Sequence, residues 1–195
     1  TAAKLVVLAV GVKPNTGFLA GSAINADNGI MVDQHMQTNI ADVYAAGDVA
    51  AGIDLSTGKH DMLAIQPTAV EHGRMAGLNM AGVATPHRGS LNMNVLDTLG
   101  LVSGSFGLWD GGQHAGSSDH ASATSVNEND FRYLRLEFSG DKLVGAQTLG
   151  RTEHIGILRG LIQTGIGLGN IKRVVEVPLQ GTRNYDCGSK SLTDC

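Results

Sequence analysis

Apolar and polar positions alternate in different ways along this chain, and each pattern predicts an element. Leu5 to Val10 (LVVLAV) is apolar without a polar break, the pattern of a strand buried on both faces. Pro14-Asn15-Thr16 reads as a turn into a short helix, with Thr16 as a candidate N-cap. Ala26 to Gly29 (ADNG) is a tight turn with Gly29 placed for positive φ, and it leads into a short strand over Ile30–Asp33. Val43-Tyr44-Ala45 is a brief run of strand formers, after which the side chains shrink to Ala46, Gly47 and the carboxylate of Asp48. Gly52 to Met62 is polar and reads as a surface excursion. Pro67 opens a helix that runs to about Met80, where its missing N–H costs nothing. Ala69, Val70, Gly73, Ala76, Gly77 and Met80 form its apolar face at i, i+3, i+4, i+7 spacing.

The pattern changes after Gly82, and Thr85 to Gly89 (TPHRG) marks a boundary. Leu91–Leu99 and Leu101–Phe106 read as two strands hinged at Gly100. Trp109 to Ser125 is rich in Gly, Ser, Asp and His and reads as a mobile connection. Phe131–Phe138 alternates as a strand, Ser139 to Lys142 turns, and Leu143–Leu149 pairs back. Glu153–Thr164 is a helix with Ile155, Leu158, Leu161 and Ile162 as its core face, ended by the glycines that follow Gly165. Strands followed by a helix make this second part α+β.

Composition narrows the class. A chain of 195 residues buries a full core as one large or two small domains. No apolar run reaches the ~20 residues that span a bilayer, and the first residues lack the ordered regions of a signal peptide. A net charge of −4 with no basic cluster argues against nucleic acid as a partner, and no membrane partner is expected. Cys187 and Cys195 lie far from any C-x-x-C spacing, so they read as reduced thiols of an intracellular, cytoplasmic chain. The 27 glycines suit a backbone of turns and close approaches, in a cofactor-binding sheet or simply in a loop-rich protein.

Asp48 is the first candidate for chemistry. A carboxylate at the C-terminal end of a buried strand stands where open α/β sheets bind ligands. Ionised, it only accepts hydrogen bonds, so it suits a sugar or polyol hydroxyl. An equally local reading makes it the cap of a turn. The second candidate is the start of the helix at Thr68 and Ala69. First-turn N–H groups lack intrahelical partners and carry roughly half a positive charge. Its alternative is an ordinary sheet-packing helix with a solvated end.

Several stretches together resemble one family. T-x-x-x-x-V-Y-A-A-G-D-V-A, from Thr38 to Ala50, is similar to the second FAD-binding motif of the pyridine nucleotide-disulfide oxidoreductases. LVVLAVGVKPN (5–15), GIMVD (29–33) and QPTAVEHGRMAGLNMAG (66–82) resemble that family's flanking segments in the same order. The likeness continues more weakly through NMNVLDTLGLVSGSFG and LVGAQTLG into the family's interface domain. The resemblance implies that Asp48 accepts a hydrogen bond from the ribityl chain of FAD and that Gly47 allows close approach. It also implies that the Thr68–Ala69 end points at the pyrimidine side of the flavin.

Other motifs fall short. Gly52 to Lys59 (GIDLSTGK) has five residues between its glycines where a P-loop has four, and His60 replaces the Ser or Thr. The alternating glycines of 165–169 follow a helical pattern rather than a strand, so they read as a helix end. His114 and His120 match no compact zinc spacing and read as solvated loop histidines, and His154 reads as an exposed helix residue. No metal site is expected. Disulfide reductases of the resembled family carry a His-Pro-Thr stretch with a following Glu; the comparable VPLQGTRNYDCG has neither, which argues against glutathione- or lipoamide-reductase chemistry.

The expected fold is therefore α/β. Residues 1–86 would be the C-terminal half of an FAD-binding Rossmann-like domain, and 87–195 a smaller α+β interface or dimerisation domain. A doubly buried strand at 5–10 has few neighbours ahead of Gly29, which implies a C-terminal fragment, inactive and without tightly held FAD by itself. The resemblance implies an NAD(P)H oxidoreductase in the whole protein, with NAD(P)H bound mainly outside this chain and a homodimer formed through 87–195. Oxygen, a thiol, nitrite, a ferredoxin and a rubredoxin all stay open as acceptor. The alternative is an interaction domain that keeps the fold and binds no flavin.

Overall fold

The computed structural model describes residues 4–110, 119–150 and 153–169, which divide into two units. The first comprises Thr1–Asp54 with Lys59–Ser90, the second Leu55–Gly58 with Leu91–Cys195. The fold is α/β, as expected.

In the first unit β1 (Ala26–Asp27), β2 (Gly29–Met31), β3 (Ala50–Ile53) and β4 (His60–Asp61) form one sheet in that order. Only β2 and β3 run parallel. The β1–β2 turn pivots on Gly29 at φ 115°, as its sequence suggests. Helix α1 (Gln66–Met80) begins beside Pro67 and ends at Met80 as expected. Ile30, Val32, Met36, Ala45, Ala50 and Ala76 make the core of this unit.

Four expectations change here. Val43–Ala45 is no strand: Tyr44 forms an isolated antiparallel bridge with Gln37, and Ala45 donates its N–H to Met36 O at 3.1 Å. The strand instead follows the motif, because the small side chains of Ala50, Ala51 and Gly52 let that backbone lie buried beside β2. Leu5 to Val10 forms no strand either, and Leu5, Val6, Val7, Leu8 and Val10 are all exposed. Among the described residues no strand pairs with this stretch, and a strand without a neighbour has nothing to bury it. Thr16 is the N-cap position of a short 3-10 helix, Gly17–Leu19, as expected, but its side chain makes no cap bond. The expected surface excursion at Gly52–Met62 is narrower than that: Gly52 and Ile53 end β3, Gly52 and Asp54 are buried, and the exposed part is the turn and β4 over residues 57–61.

The buried stripe of α1 also differs from the one expected. Thr68, His72 and Ala76, at i, i+4 and i+8, face inward, while Val70 and Met80 are exposed. On the sheet side the histidine has a partner for its Nε2, while its buried Nδ1 has none among the described residues.

The second unit is a five-stranded antiparallel sheet in the order β5 (Met93–Thr98), β6 (Leu101–Gly107), β9 (Lys142–Leu149), β8 (Arg132–Ser139), β7 (His120–Asn127). Helix α2 (Ile155–Thr164) buries Leu158 fully and rests Ile155, Leu161 and Ile162 on a core of Leu91, Phe106, Leu136, Phe138, Leu143, Ala146 and Leu168. Gly165 ends it at φ 59°, donating its N–H to Leu161 O. His154 is the left-handed N-cap residue of α2 rather than a member of the helix. His120–Ser125 belongs to β7 and not to a connection, since β8 supplies a full ladder from His120↔Ser139 to Asn127↔Arg132. The readings at His114, Cys187, Cys195 and the VPLQGTRNYDCG stretch lie outside the described residues.

Candidate functional site

The GD motif folds as a single 3-10 turn, Gly47–Val49, that leads directly into β3. Asp48 therefore precedes a strand rather than ending one. Gly47 takes φ 77°, a left-handed value that costs an L-residue roughly 1–2 kcal/mol. A Cβ placed on Gly47 would stand 3.6 Å from Ala69 Cβ and 4.0 Å from Ala69 Cα, so the turn packs on the first turn of α1. The fold thus joins two sequence candidates that stand 22 positions apart.

Asp48 is exposed, and its carboxylate makes no hydrogen bond or ion pair among the described residues. It accepts no capping bond from its own turn, whose N-cap, Ala46, likewise has no side-chain cap bond. Helix α1 starts without a side-chain cap and without an acidic residue in its first turn, so nothing on the helix offsets the positive end of its dipole. Its free donors are fewer than expected. Ala69 gives its N–H to Ile65 O at 3.1 Å, and Pro67 has none. Gln66 and Thr68 are the first-turn N–H groups without a backbone acceptor among the described residues. Thr68 is buried, so its contribution to a ligand would be through the backbone field.

The same helix carries a polar cluster that its apolar spacing does not reveal. His72 is buried, and its Nε2 is hydrogen-bonded to Ser90 Oγ at 3.2 Å. Its ring meets that of buried His87 edge-on, with centroids 5.0 Å apart. His87 Nε2 lies 3.5 Å from a Glu71 carboxylate oxygen, too far for a good hydrogen bond. Burial, and then the neighbouring His87, lower the pKa of His72 to about 4 against a partial pull upward by Glu71. The legible signal was the i, i+4, i+8 spacing of Thr68, His72 and Ala76.

The second unit holds another missed cluster. Glu137 is fully buried in β8, with His120 Nε2 at 2.7 Å and Arg135 Nε at 2.5 Å from its two carboxylate oxygens. Burial works against the charge of Arg135, yet the hydrogen bond and charge of Glu137 hold its pKa above the usual value. His120 is therefore a paired strand residue and not a solvated loop histidine. Among the described residues no group of His, Cys, Asp and Glu is arranged to hold a metal ion. No helix among them is long and apolar enough to cross a membrane.

Residues 1–73, which include the GD turn and the start of α1, match the sequence model of the pyridine nucleotide-disulphide oxidoreductases. The NAD(P)H nitrite reductase of Bacillus subtilis (strain 168) is 30% identical over 173 residues, 88% of this chain and 20% of that protein. The chain belongs to this family. Family relatives also include subunit epsilon of the NADH-dependent phenylglyoxylate dehydrogenase of Aromatoleum evansii, 34% identical over 71% of this chain and 32% of its own length. The NADH-rubredoxin oxidoreductase of Clostridium acetobutylicum is 35% identical over 49% of this chain and 24% of its own length. The match thus spans between a fifth and a third of these curated relatives. The fold agrees: the NAD-dependent persulfide reductase of A. fulgidus superposes with a TM-score of 0.76 at 23% identity, over 87% of this chain and 34% of that one. The matched residues end at Gly73, one residue past His72, so Ser90 and His87 fall outside the match.

Proposed function

We propose that this chain is the C-terminal part of an FAD-dependent NAD(P)H oxidoreductase, contributing one wall of the flavin site. The observation that carries the reading is the junction of Gly47 with Ala69, which sets an exposed, unpartnered carboxylate on a turn packed against an uncapped helix start. Asp48 would accept a ribityl hydroxyl, and the first turn of α1 would present its positive end to the pyrimidine edge. Gly47 keeps that approach free of a side chain. FAD would supply the electron-carrying centre between the nicotinamide donor and the acceptor, while the protein orients and polarises it.

The named relatives share a pyridine nucleotide and differ in the other substrate that their names give: nitrite, phenylglyoxylate, rubredoxin. The proposal accordingly commits to the donor and the cofactor, with the nicotinamide bound mainly by parts of the protein outside this chain. A homodimer through 87–195 and a cytoplasmic location complete the reading. The test is Asp48→Ala in the whole protein, with FAD affinity and folding stability measured on the same preparation. Unchanged affinity would sink the assignment.

A further inference from the structure

We propose that His72 is a positioning residue for the flavin site, pinning the start of α1 to the strand that leaves the GD turn; this rests on the flavin reading above. The pin is a closed loop of contacts within the first unit. Ser90 donates its N–H to Ile53 O of β3 at 2.8 Å, and its hydroxyl is hydrogen-bonded to His72 Nε2 at 3.2 Å. His72 is also pressed directly on β3. A Cβ on Gly52 would stand 3.3 Å from both Cε1 and Nε2 of the ring, closer than side chains ordinarily sit. Helix α1 is thus held to β3 twice, once through Ser90 and once through ring-on-backbone contact.

Both attachments lie next to the proposed site. His72 stands four residues after Thr68, about 6 Å along the axis. Gly52 follows Asp48 by four residues, with only the rest of the turn and the start of β3 between them. A shift of His72 therefore changes the separation between the helix start and the carboxylate. The far end of the helix is held independently. Asn79 donates to His35 O, Met75 O and Thr85 O and accepts from the Thr85 N–H, while His87 gives its N–H to Gln34 O. Loss of the His72 pin leaves that end in place, so the slack falls on the N-terminal turn.

The test uses the whole protein with Ser90→Ala, which removes one hydroxyl, His72→Leu, which removes the ring, and His72→Gln, whose amide reaches the Nε2 position. FAD dissociation, the flavin reduction potential and thermal stability are measured on each. Ser90→Ala and His72→Leu are expected to weaken FAD binding by about two- to fivefold, the worth of a first-turn helix field, and to make the potential more negative. His72→Gln should restore both toward wild type. Should His72→Leu fail to fold, Ser90→Ala decides alone. Lowered stability with affinity and potential unchanged overturns the positioning role and leaves the flavin reading standing. A wild-type protein that holds no FAD overturns both.

Discussion

Gly47 and Ala69 meet across the GD turn at a separation that would admit a methyl group, with 3.6 Å between an added Cβ and that of Ala69. Space toward Ala69 is therefore not what requires glycine there. The requirement is φ 77°. Gly47→Ala is expected to cost about 1 kcal/mol of folding stability from backbone strain alone. Urea unfolding of the two proteins measures this. A loss well above that size would mean the turn is displaced from α1, and a neutral result would mean the turn relaxes without consequence.

Asp48→Ala separates two roles. A charge-assisted hydrogen bond to the ribityl chain is worth roughly 1.5–3 kcal/mol, so FAD affinity should fall on the order of ten- to a hundredfold. Folding stability without FAD should hardly change, because the carboxylate makes no bond within the described residues. Flavin fluorescence titration and thermal denaturation of the apoprotein read the two quantities. A loss of about 1 kcal/mol in stability alone would instead restore the turn-cap reading.

His72 should leave a mark on the pH dependence of stability. Its pKa is about 4 when folded, lowered first by burial and then by His87, against an ordinary value of 6.5. The unfolded chain therefore binds more protons between those values, and stability rises with pH across that window. The contribution is complete above pH 6.5 and is lost as pH falls toward 4, by at most about 3 kcal/mol. Wild type and His72→Gln are compared by urea unfolding from pH 4 to 7.5, since carboxylates titrate in both. Wild type should lose more stability on acidification, and parallel curves would contradict this.

Local patterns reveal some parts of this molecule and conceal others for identifiable reasons. The ends of α1 are legible because Pro67 fits the first turn, and β8 and β9 are legible because Leu134, Leu136 and Phe138 alternate about a short turn. β7 (HASATSVN) carries no such alternation and becomes a strand only because β8 pairs with it along its length. His72 ranks below its apolar neighbours in any local count, yet it is the buried one, and the partner of its Nε2, Ser90, lies 18 residues on where no local pattern points to it. The GD stretch is legible as a motif, but its backbone is not. Nothing in VYAAGDVA says that the strand lies after the carboxylate and not before it.

The proposed dimer can be tested at the edge of the second sheet. Among the described residues β5 is an edge strand, on which Val95 and Leu96 are exposed, and Leu99 at its turn is wholly so. Exposed apolar edge strands pair with other chains unless they are covered or charged. The whole protein should sediment as a dimer, and Leu99→Asp with Leu96→Lys should shift it toward monomer. A wild-type monomer at every concentration in analytical ultracentrifugation would count against the dimer itself. A variant that stays dimeric would move the interface elsewhere on 87–195.

Glu137 tests how a buried charge is kept in this small sheet. Its carboxylate is inaccessible to water and is held by His120 on β7 and by Arg135 on its own strand. Those two partners are themselves partly open to solvent, so each can recover water if the carboxylate is lost. The carboxylate has no such recourse. Removing one partner should therefore cost more per contact than removing the acid and filling its space. His120→Ala strips one oxygen of its partner and is expected to destabilise by about 1–3 kcal/mol, the cost of an unsatisfied buried group. Glu137→Leu removes the only member of the group that is closed to water and leaves the partly exposed His120 and Arg135 to be solvated, so it should cost less than that. The effect should persist at 1 M salt, since screening acts weakly on buried groups. Urea unfolding of both variants at low and high salt decides it. If Glu137→Leu proves the more damaging change, the carboxylate contributes net stability to the sheet, and pairing outweighs desolvation there.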